Sequence, residues 1–439
     1  MIAQRKEFPV NILVVGGGSW DDTSSLGNTL SNLFAEWKNA SFYNLYFRDV
    51  MPNNAVCTDY YRITTKEILK KYWAPQNIGE PFEIPADGSS VDVLEQNRKG
   101  DTEKKMISLI HRYGVKFIYE LEDLLWYTKK WQNRRLDEFI DHVNPDIIFS
   151  FAAGNSYMVL PIEYIKARTN AKLILLVADD MYTTYRLSQN RHHLRMQKDF
   201  DKLIGMADKI YGISEQMCQR YEALYGVRVD ILHKGCCFEH GPMRKVNKPI
   251  RLVYAGNLLF GRLDTLAAVA DCLETLNKSG IKATLDVYSG TIITEQQRKR
   301  IHRGNISAFH GCISFSEVKE KLASADVVVH VESFDEEQIE CVRYSFSTKI
   351  IDCLQSGSVL LAIGPKGIAS IEYSRKVPGA EVVDDLRLLE KCLCRLLSEE
   401  MNLISRAKQI HSFAVENHSI DRVRQRLQND FEHVVDAQK

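Results

Sequence analysis

A chain of 439 residues is too long for one small core and suits two domains of roughly 200 residues each. Lys+Arg and Asp+Glu are equal at 57 each, so no global field draws it toward nucleic acid. Apolar content of 45% and charged content of 26% are ordinary for a soluble globular protein, and no apolar run reaches the roughly 18 residues that would suggest a membrane span.

The N-terminal apolar stretch "NILVVGGG" has strand length, without an h-region and cleavage site, which gives the expectation of a cytoplasmic protein. The ten cysteines form no C-x-x-C pair, and several fall inside apolar runs, as Cys353 does in "IIDCL". Reduced core thiols are expected, and these spacings argue against a zinc site.

In chain order, the first half gives the short apolar runs "NILVV" (11–15), "SFYNLYF" (41–47), "DIIFSF" (146–151), "KLILLV" (172–177), "KIYGIS" (209–214) and "VDILHKG" (229–235). The first run leads into "GGGSWDDTSSLGNTL" (16–30). Gly16, Gly17 and Gly18 tempt a dinucleotide reading, with Asp49 beyond the second run to hold a ribose. The G-x-G-x-x-G test fails, because Asp21 stands where the third glycine belongs. That failure argues against an NAD-dependent oxidoreductase. "LLWYTKKWQNRRLDEFI" (124–140) mixes Trp126, Tyr127 and Trp131 with Lys129, Lys130, Arg134 and Arg135. As one helix this stretch suits either an anionic membrane surface or an ordinary solvated basic face. In "LLVADDMYTTYR" (175–186), Asp179 and Asp180 follow a buried strand, placed for a general base, for holding an acceptor hydroxyl, or for capping the next helix. His233 and Lys234 close the last run of this half.

"EHGPMRKVNKPI" (239–250) is polar, holds Gly241, Pro242 and Pro249, and lacks periodicity, which marks a boundary. The second half then gives "IRLVYAG" (250–256), "ATLDVYSG" (283–290), "ISAFHG" (306–311), "DVVVHV" (326–331), "SVLLAI" (358–363) and "AEVV" (380–383). Segments between them, such as "LDTLAAVADCLETLNKSG", carry apolar residues at helical spacing. Runs of four to eight residues, apolar throughout, suit parallel strands buried on both faces. Two alternating series predict an α/β protein with two doubly wound, Rossmann-like domains, 1–240 and 250–416, and a closing amphipathic helix over 417–439. Ligands bind beyond the carboxyl ends of such strands, so a cleft between facing domains is the expected site.

Several stretches then point to a family. "LVYAGNLLFGRLDTL", "FHGCISFSEVKEKLASADVVVHV" and "STKIIDCLQSGSVLLAIGP" resemble, in order and spacing, the C-terminal half of the GT-B glycosyltransferases. The similarity is greatest to the family-four-like (group 1) sugar transferases of bacterial surface polysaccharide pathways. "ADDMYTTY" and "ISEQMCQRYEALYG" resemble stretches near the end of that family's N-terminal domain. The resemblance implies a metal-independent transfer of a sugar from a nucleotide-diphosphate sugar to an acceptor hydroxyl on a saccharide or lipid-linked saccharide, with retention of configuration. It implies no cofactor and no metal site, the nucleotide sugar being the donor substrate. Leu124 to Ile140 would then be a candidate contact with the inner face of the membrane. A catalytically silent homologue acting as scaffold, or another nucleotide-sugar enzyme such as an epimerase, stands as the alternative.

Carried onto this sequence, the resemblance puts the diphosphate at Gly256, Asn257 and Arg262, and at a helix start bearing Ser347, Thr348 and Lys349. Asp352, where the family has Glu, would accept ribose hydroxyls, and Gly357 would end that helix in a left-handed cap. Glu332 ends a strand and would touch the donor sugar. The family's two acids stand eight positions apart, but Tyr344 lies eight before Asp352, and the matching interval from Glu332 to Glu340 reads as coincidence. Gly16, Gly17 and Gly18 would approach the acceptor and the donor phosphates.

Overall fold

The computed structural model describes residues 9–84, 116–183, 190–238, 241–278, 282–398 and 400–436. The chain divides into two compact units: Met1–Ile213 with Cys218–Leu232 and Arg424–Lys439, and Ser214–Met217 with His233–Val423. Each is a sheet flanked by helices.

In the first unit eight strands are ordered β4-β3-β2-β1-β5-β6-β7-β8. They are β1 (Val10–Gly16), β2 (Ala40–Tyr46), β3 (Asp59–Arg62), β4 (Glu80–Glu83), β5 (Ile147–Phe151), β6 (Lys172–Val177), β7 (Lys209–Gly212) and β8 (Val229–Ile231). All pair in parallel except β4, which runs antiparallel to β3 with Glu80 opposite Arg62. Ile12 to Val15 are all buried. Such runs are apolar throughout because a parallel sheet covered on both faces leaves no side for water.

The second unit orders six parallel strands β11-β10-β9-β12-β13-β14. These are β9 (Ile250–Ala255), β10 (Ala283–Tyr288), β11 (Ser307–Gly311), β12 (Val327–Val331), β13 (Val359–Ile363) and β14 (Glu381–Val383). Every residue of β12 and β13 is buried. All twelve runs read as strands from the sequence are strands here; β3 and β4 are additional.

The last helix, Ile420–Asp436, belongs to the first unit from Arg424 onward. Phe431 is buried there against Phe34, Trp37 and Phe149 at centroid distances of 5.9, 5.4 and 6.1 Å. Tyr211 donates its hydroxyl to Asp430 at 2.7 Å.

The single helix expected over 124–140 is corrected. Helix Lys116–Tyr127 stops, Lys129 takes φ +57°, and a second helix, Arg134–Val143, starts from Asn133. The Asn133 side chain accepts from the N–H groups of Arg135 and Leu136, as a helix cap should. Trp126 and Trp131 are fully buried, with ring centroids 5.9 Å apart. Their indole N–H groups donate to Thr65 Oγ1 and to the Trp126 carbonyl. Tryptophans held inside the unit cannot lie among lipid headgroups, so that part of the membrane reading falls. Among the described residues no helix is long and apolar enough to cross a membrane. None of the ten cysteines is in a disulfide, and Cys57, Cys218, Cys236 and Cys353 are buried.

Candidate active site

Both sheets have a switch point, where successive connections leave in opposite directions: between β1 and β5 in the first unit, and between β9 and β12 in the second. Ligands of doubly wound sheets bind at the carboxyl ends of strands at such points. In the second unit Gly256 directly follows β9 and Glu332 directly follows β12. The sequence candidates Gly256, Asn257, Arg262, Glu332 and Lys349 gather around this point.

Arg262 opens helix Arg262–Leu276. Its Nε donates to Glu332 Oε2 at 3.0 Å and its Nη2 to Glu332 Oε1 at 3.1 Å, while Nη1 donates to Asn257 Oδ1 at 2.7 Å. A guanidinium has five N–H donors in a rigid fork, so these three bonds fix its plane and leave two donors over. Glu332 is buried and also accepts from Ser370 Oγ at 3.3 Å, and its carbonyl accepts from Thr265 Oγ1 at 2.8 Å. The His330 Nε2 lies 3.2 Å from Oε1. Burial alone would raise the Glu332 carboxyl, but His330 and Arg262 outweigh it and hold it below the usual carboxylate range. Its oxygens are committed to Arg262, so Glu332 acts by aiming that cation.

Lys349 starts the helix Lys349–Gln355. Its ammonium rests against the loop after β9, where a Cβ on Gly256 would stand 2.5 Å from Nζ and 2.9 Å from the Tyr254 hydroxyl. Only a glycine leaves that space open. Among the described residues the ammonium makes no hydrogen bond or ion pair. Burial, with Arg262 adding to it, pushes its pKa down to about 8. The cluster therefore holds two cations against one carboxylate and carries a surplus positive charge. An anionic ligand is what such a site lacks.

Other candidates lie differently. Thr348 is the N-cap of the Lys349 helix without a side-chain cap bond, and the Ser347 carbonyl accepts from the Ile350 N–H at 2.9 Å. Asp352, a turn on, accepts from Lys234 Nζ at 2.6 Å. It opens on a small pocket with Cys237, Lys319, Leu322, Ala323, Gln355 and Ser356, of which Leu322 and Ser356 precede the amino ends of β12 and β13. Gly357 takes φ +79° between the helix and β13, the left-handed turn expected there. Glu340 pairs with Arg343 on the surface, so Glu332 and Glu340 form no carboxylate pair.

In the first unit, Gly16 ends β1, and a Cβ on Gly17 would stand 3.6 Å from Tyr157 and Met158, while a Cβ on Gly18 would have no atom of the described residues within 4 Å. Asp179 is exposed, and its carbonyl accepts from the Met181 N–H. Asp180 is buried. Its Oδ2 accepts from Thr183 Oγ1 at 2.5 Å and lies 3.4 Å from Arg220 Nε, and its Oδ1 is 3.4 Å from the Tyr221 hydroxyl. Asp180 thus ties a turn to the helix Glu215–Tyr225.

Sequence reading missed His330, Ser370 and Tyr254. The one available signal was an imidazole inside the otherwise apolar "DVVVHV".

No family model matches this chain, and no curated protein matches it. Solved structures do. HepE from Anabaena, solved in complex with UDP, shares 11% identity over 97% of this chain and 100% of its own, with a TM-score of 0.62. Sucrose-phosphate synthase from Thermosynechococcus elongatus shares 10% over 97% and 100%, with a TM-score of 0.60. An α,α-trehalose-phosphate synthase (UDP-forming) from Burkholderia xenovorans, in complex with glucose-6-phosphate, shares 9% over 96% and 100%, with a TM-score of 0.57. The fold is GT-B: two Rossmann-like α/β domains in one chain.

Proposed function

We propose that the protein is a glycosyltransferase that moves a sugar from a nucleotide-diphosphate sugar to a saccharide hydroxyl. The observation that carries this reading is Lys349, a largely buried ammonium with no hydrogen bond or ion pair among the described residues, set against Gly256 at the switch point of the second sheet. A diphosphate at Gly256 would neutralise Lys349 and accept from the two spare donors of Arg262. During transfer the bond from the anomeric carbon to the diphosphate breaks and its electron pair stays on the diphosphate oxygen. Lys349 and Arg262 would stabilise that charge, held in place beforehand so that little reorganisation is needed. The HepE structures with UDP and with UDP-glucose, and the trehalose-phosphate synthase with glucose-6-phosphate, support the donor and acceptor classes.

The test is a thermal-shift panel of UDP, GDP, ADP and TDP and their sugars, on the wild type and on Lys349→Met. A ligand at 100 times its dissociation constant adds about 2.7 kcal/mol. One nucleotide should therefore raise the wild-type melting temperature and lose most of that effect on Lys349→Met. If no member of the panel shifts the wild type, the reading is wrong.

A further inference from the structure

Helix Thr65–Lys70, between β3 and β4 of the first unit, packs beside helix Lys116–Tyr127. Thr65 Oγ1 donates to Glu122 Oε1 at 2.7 Å and accepts from Trp126 Nε1 at 3.0 Å. Further on, Lys130 Nζ lies 5.2 Å from the centre of the Tyr72 ring. Leu69 sits between these two contacts, one turn beyond Thr65 and on the same side of its helix. It is nevertheless 58% exposed. Leu121 and Leu124, on the outward side of the neighbouring helix, are 42% and 56% exposed, and Trp73 is 93% exposed. Of the five tryptophans in the chain, Trp20, Trp126 and Trp131 are fully buried and Trp37 is half-buried. Trp73 is the one that faces water. Scattered apolar side chains on a surface need no explanation, but four on two adjoining segments form a patch, and such patches mark interaction surfaces.

The charges around the patch have one sign. Over 65–73 three lysines stand against the single Glu67. Glu67 accepts from the Thr64 N–H at 2.9 Å and lies 3.6 Å from Lys71. Lys66 and Lys70 are exposed and make no ion pair among the described residues. Lys129, also exposed, and Lys130 extend the row from the other segment. On that segment Glu122 is engaged by Thr65, and Asp123 is buried beneath Ser156, His192 and Arg195. The whole chain has no net charge, so this surplus is local. Lysine is depleted in protein–protein interfaces, whereas lysines beside an exposed tryptophan match the phosphates and the headgroup layer of an anionic bilayer.

We propose that this face docks the first unit on an anionic phospholipid bilayer. Trp73 and Leu69 enter the headgroup region, and Lys66, Lys70 and Lys129 meet lipid phosphates with their stems lying along the apolar side chains. The surface differs from the one read in the sequence: Trp126 and Trp131 are inside the unit, and the tryptophan that reaches out lies some 50 positions earlier, at Trp73. Docking involves no nucleotide and stands apart from the glycosyltransferase reading.

The experiment is sedimentation of the whole chain with vesicles of phosphatidylcholine, or of phosphatidylcholine mixed with phosphatidylglycerol, at low and high salt. The wild type should pellet with the mixed vesicles at low salt, less so at high salt as screening shortens the reach of the lysines, and stay in solution with phosphatidylcholine. Its tryptophan emission should shift to the blue on the mixed vesicles. Lys66→Gln/Lys70→Gln should weaken binding about 25-fold, at about fivefold for each lysine near an anionic surface. Trp73→Gln should weaken it at least about tenfold, the low end for burying a large apolar side chain, and should lose the blue shift. Both variants change exposed side chains and should keep the wild-type melting temperature. A wild type that ignores the mixed vesicles at low salt, or that pellets equally with phosphatidylcholine, overturns the proposal, as do variants that bind like the wild type. Self-association that Trp73→Gln abolishes, without vesicle binding, gives the face to a second copy and overturns it too. The assay reads no turnover, so its failure leaves the glycosyltransferase reading untouched, and an inert enzyme leaves the docking untouched.

Discussion

Arg262 grips Glu332 through two parallel hydrogen bonds of 3.0 and 3.1 Å, at the point where β12 ends and the helix after β9 begins. Both side chains are nearly inaccessible, at 11% and 2% exposure, so each charge depends on the other. Breaking a buried pair from one side leaves an uncompensated charge and costs about 3–5 kcal/mol. Glu332→Ala should therefore lose roughly that much in urea denaturation, the more so because Lys349 adds a second cation. The double variant Arg262→Leu/Glu332→Leu should recover most of the loss, since replacing both partners removes the stranded charge. Equal losses in the single and double variants would mean that packing, and not charge, sets the stability of this point.

Lys349 should affect stability and binding in opposite directions. Its pKa in the folded chain is about 8 against an ordinary 10.5. Folding thus disfavours the charged form, and the cost is fully present below pH 8. As pH rises from about 8 to about 10.5 the unfolded chain holds more protons than the folded one, so the cost is relieved and stability rises. Lys349→Met should raise stability at pH 7, by up to about 3 kcal/mol, the shift converted at 1.36 kcal/mol per unit. The same change should weaken nucleoside diphosphate binding. Wild-type affinity should fall as pH rises through about 8, because only the protonated amine attracts the diphosphate. Calorimetry at pH 7 in buffers of different ionisation enthalpy should show proton uptake smaller than at pH 8. A pH-independent affinity would remove Lys349 from the donor site.

Much of this was legible in the sequence because it depends on local pattern. Parallel strands covered on both faces must be apolar along their length, so "NILVV" and "DVVVHV" announce themselves. Glu80–Glu83 does not, because an edge strand with three exposed residues can carry Pro81 and two glutamates. Gly256, Arg262, Glu332 and Lys349 could be gathered because each adjoins a strand end or helix start that the pattern reveals. The finer geometry could not be read. That Arg262 meets Glu332 across 70 positions and that Asp352 meets Lys234 across 118 depends on how strands and helices pack. The contact of Asp123 Oδ2 with His192 Nδ1 at 2.7 Å, 69 positions apart, leaves no spacing signature at all.

The misread stretch from Leu124 to Ile140 shows the same limit. Trp131 beside lysines reads as an interface residue, yet its ring is fully buried against Trp126 and Tyr164, at 5.9 and 5.6 Å. Trp131→Ala should then cost about 3–5 kcal/mol, the range for removing a large aromatic from a core. A change within about 0.5 kcal/mol, as for exposed positions, would contradict the packing. Chemical denaturation with tryptophan-independent detection, by far-UV circular dichroism, reads the difference.

Asp180 is the last case in which position and role separate. It follows β6 as a catalytic acid would, but its Oδ2 is taken by the Thr183 hydroxyl at 2.5 Å with Arg220 Nε 3.4 Å away. Arg220 also donates to Thr183 Oγ1 at 2.8 Å, so the three side chains close a small ring that fixes the turn after the strand. Asp180→Asn keeps the shape of the side chain but removes the charge facing Arg220 and places an amide where an acceptor is needed. The expected loss is about 1–3 kcal/mol of stability, the cost of leaving a buried polar group poorly matched. Turnover should fall by less than about 100-fold, the threshold for losing a general base. Wild-type stability together with a loss of about 100-fold or more would instead make Asp180 the base.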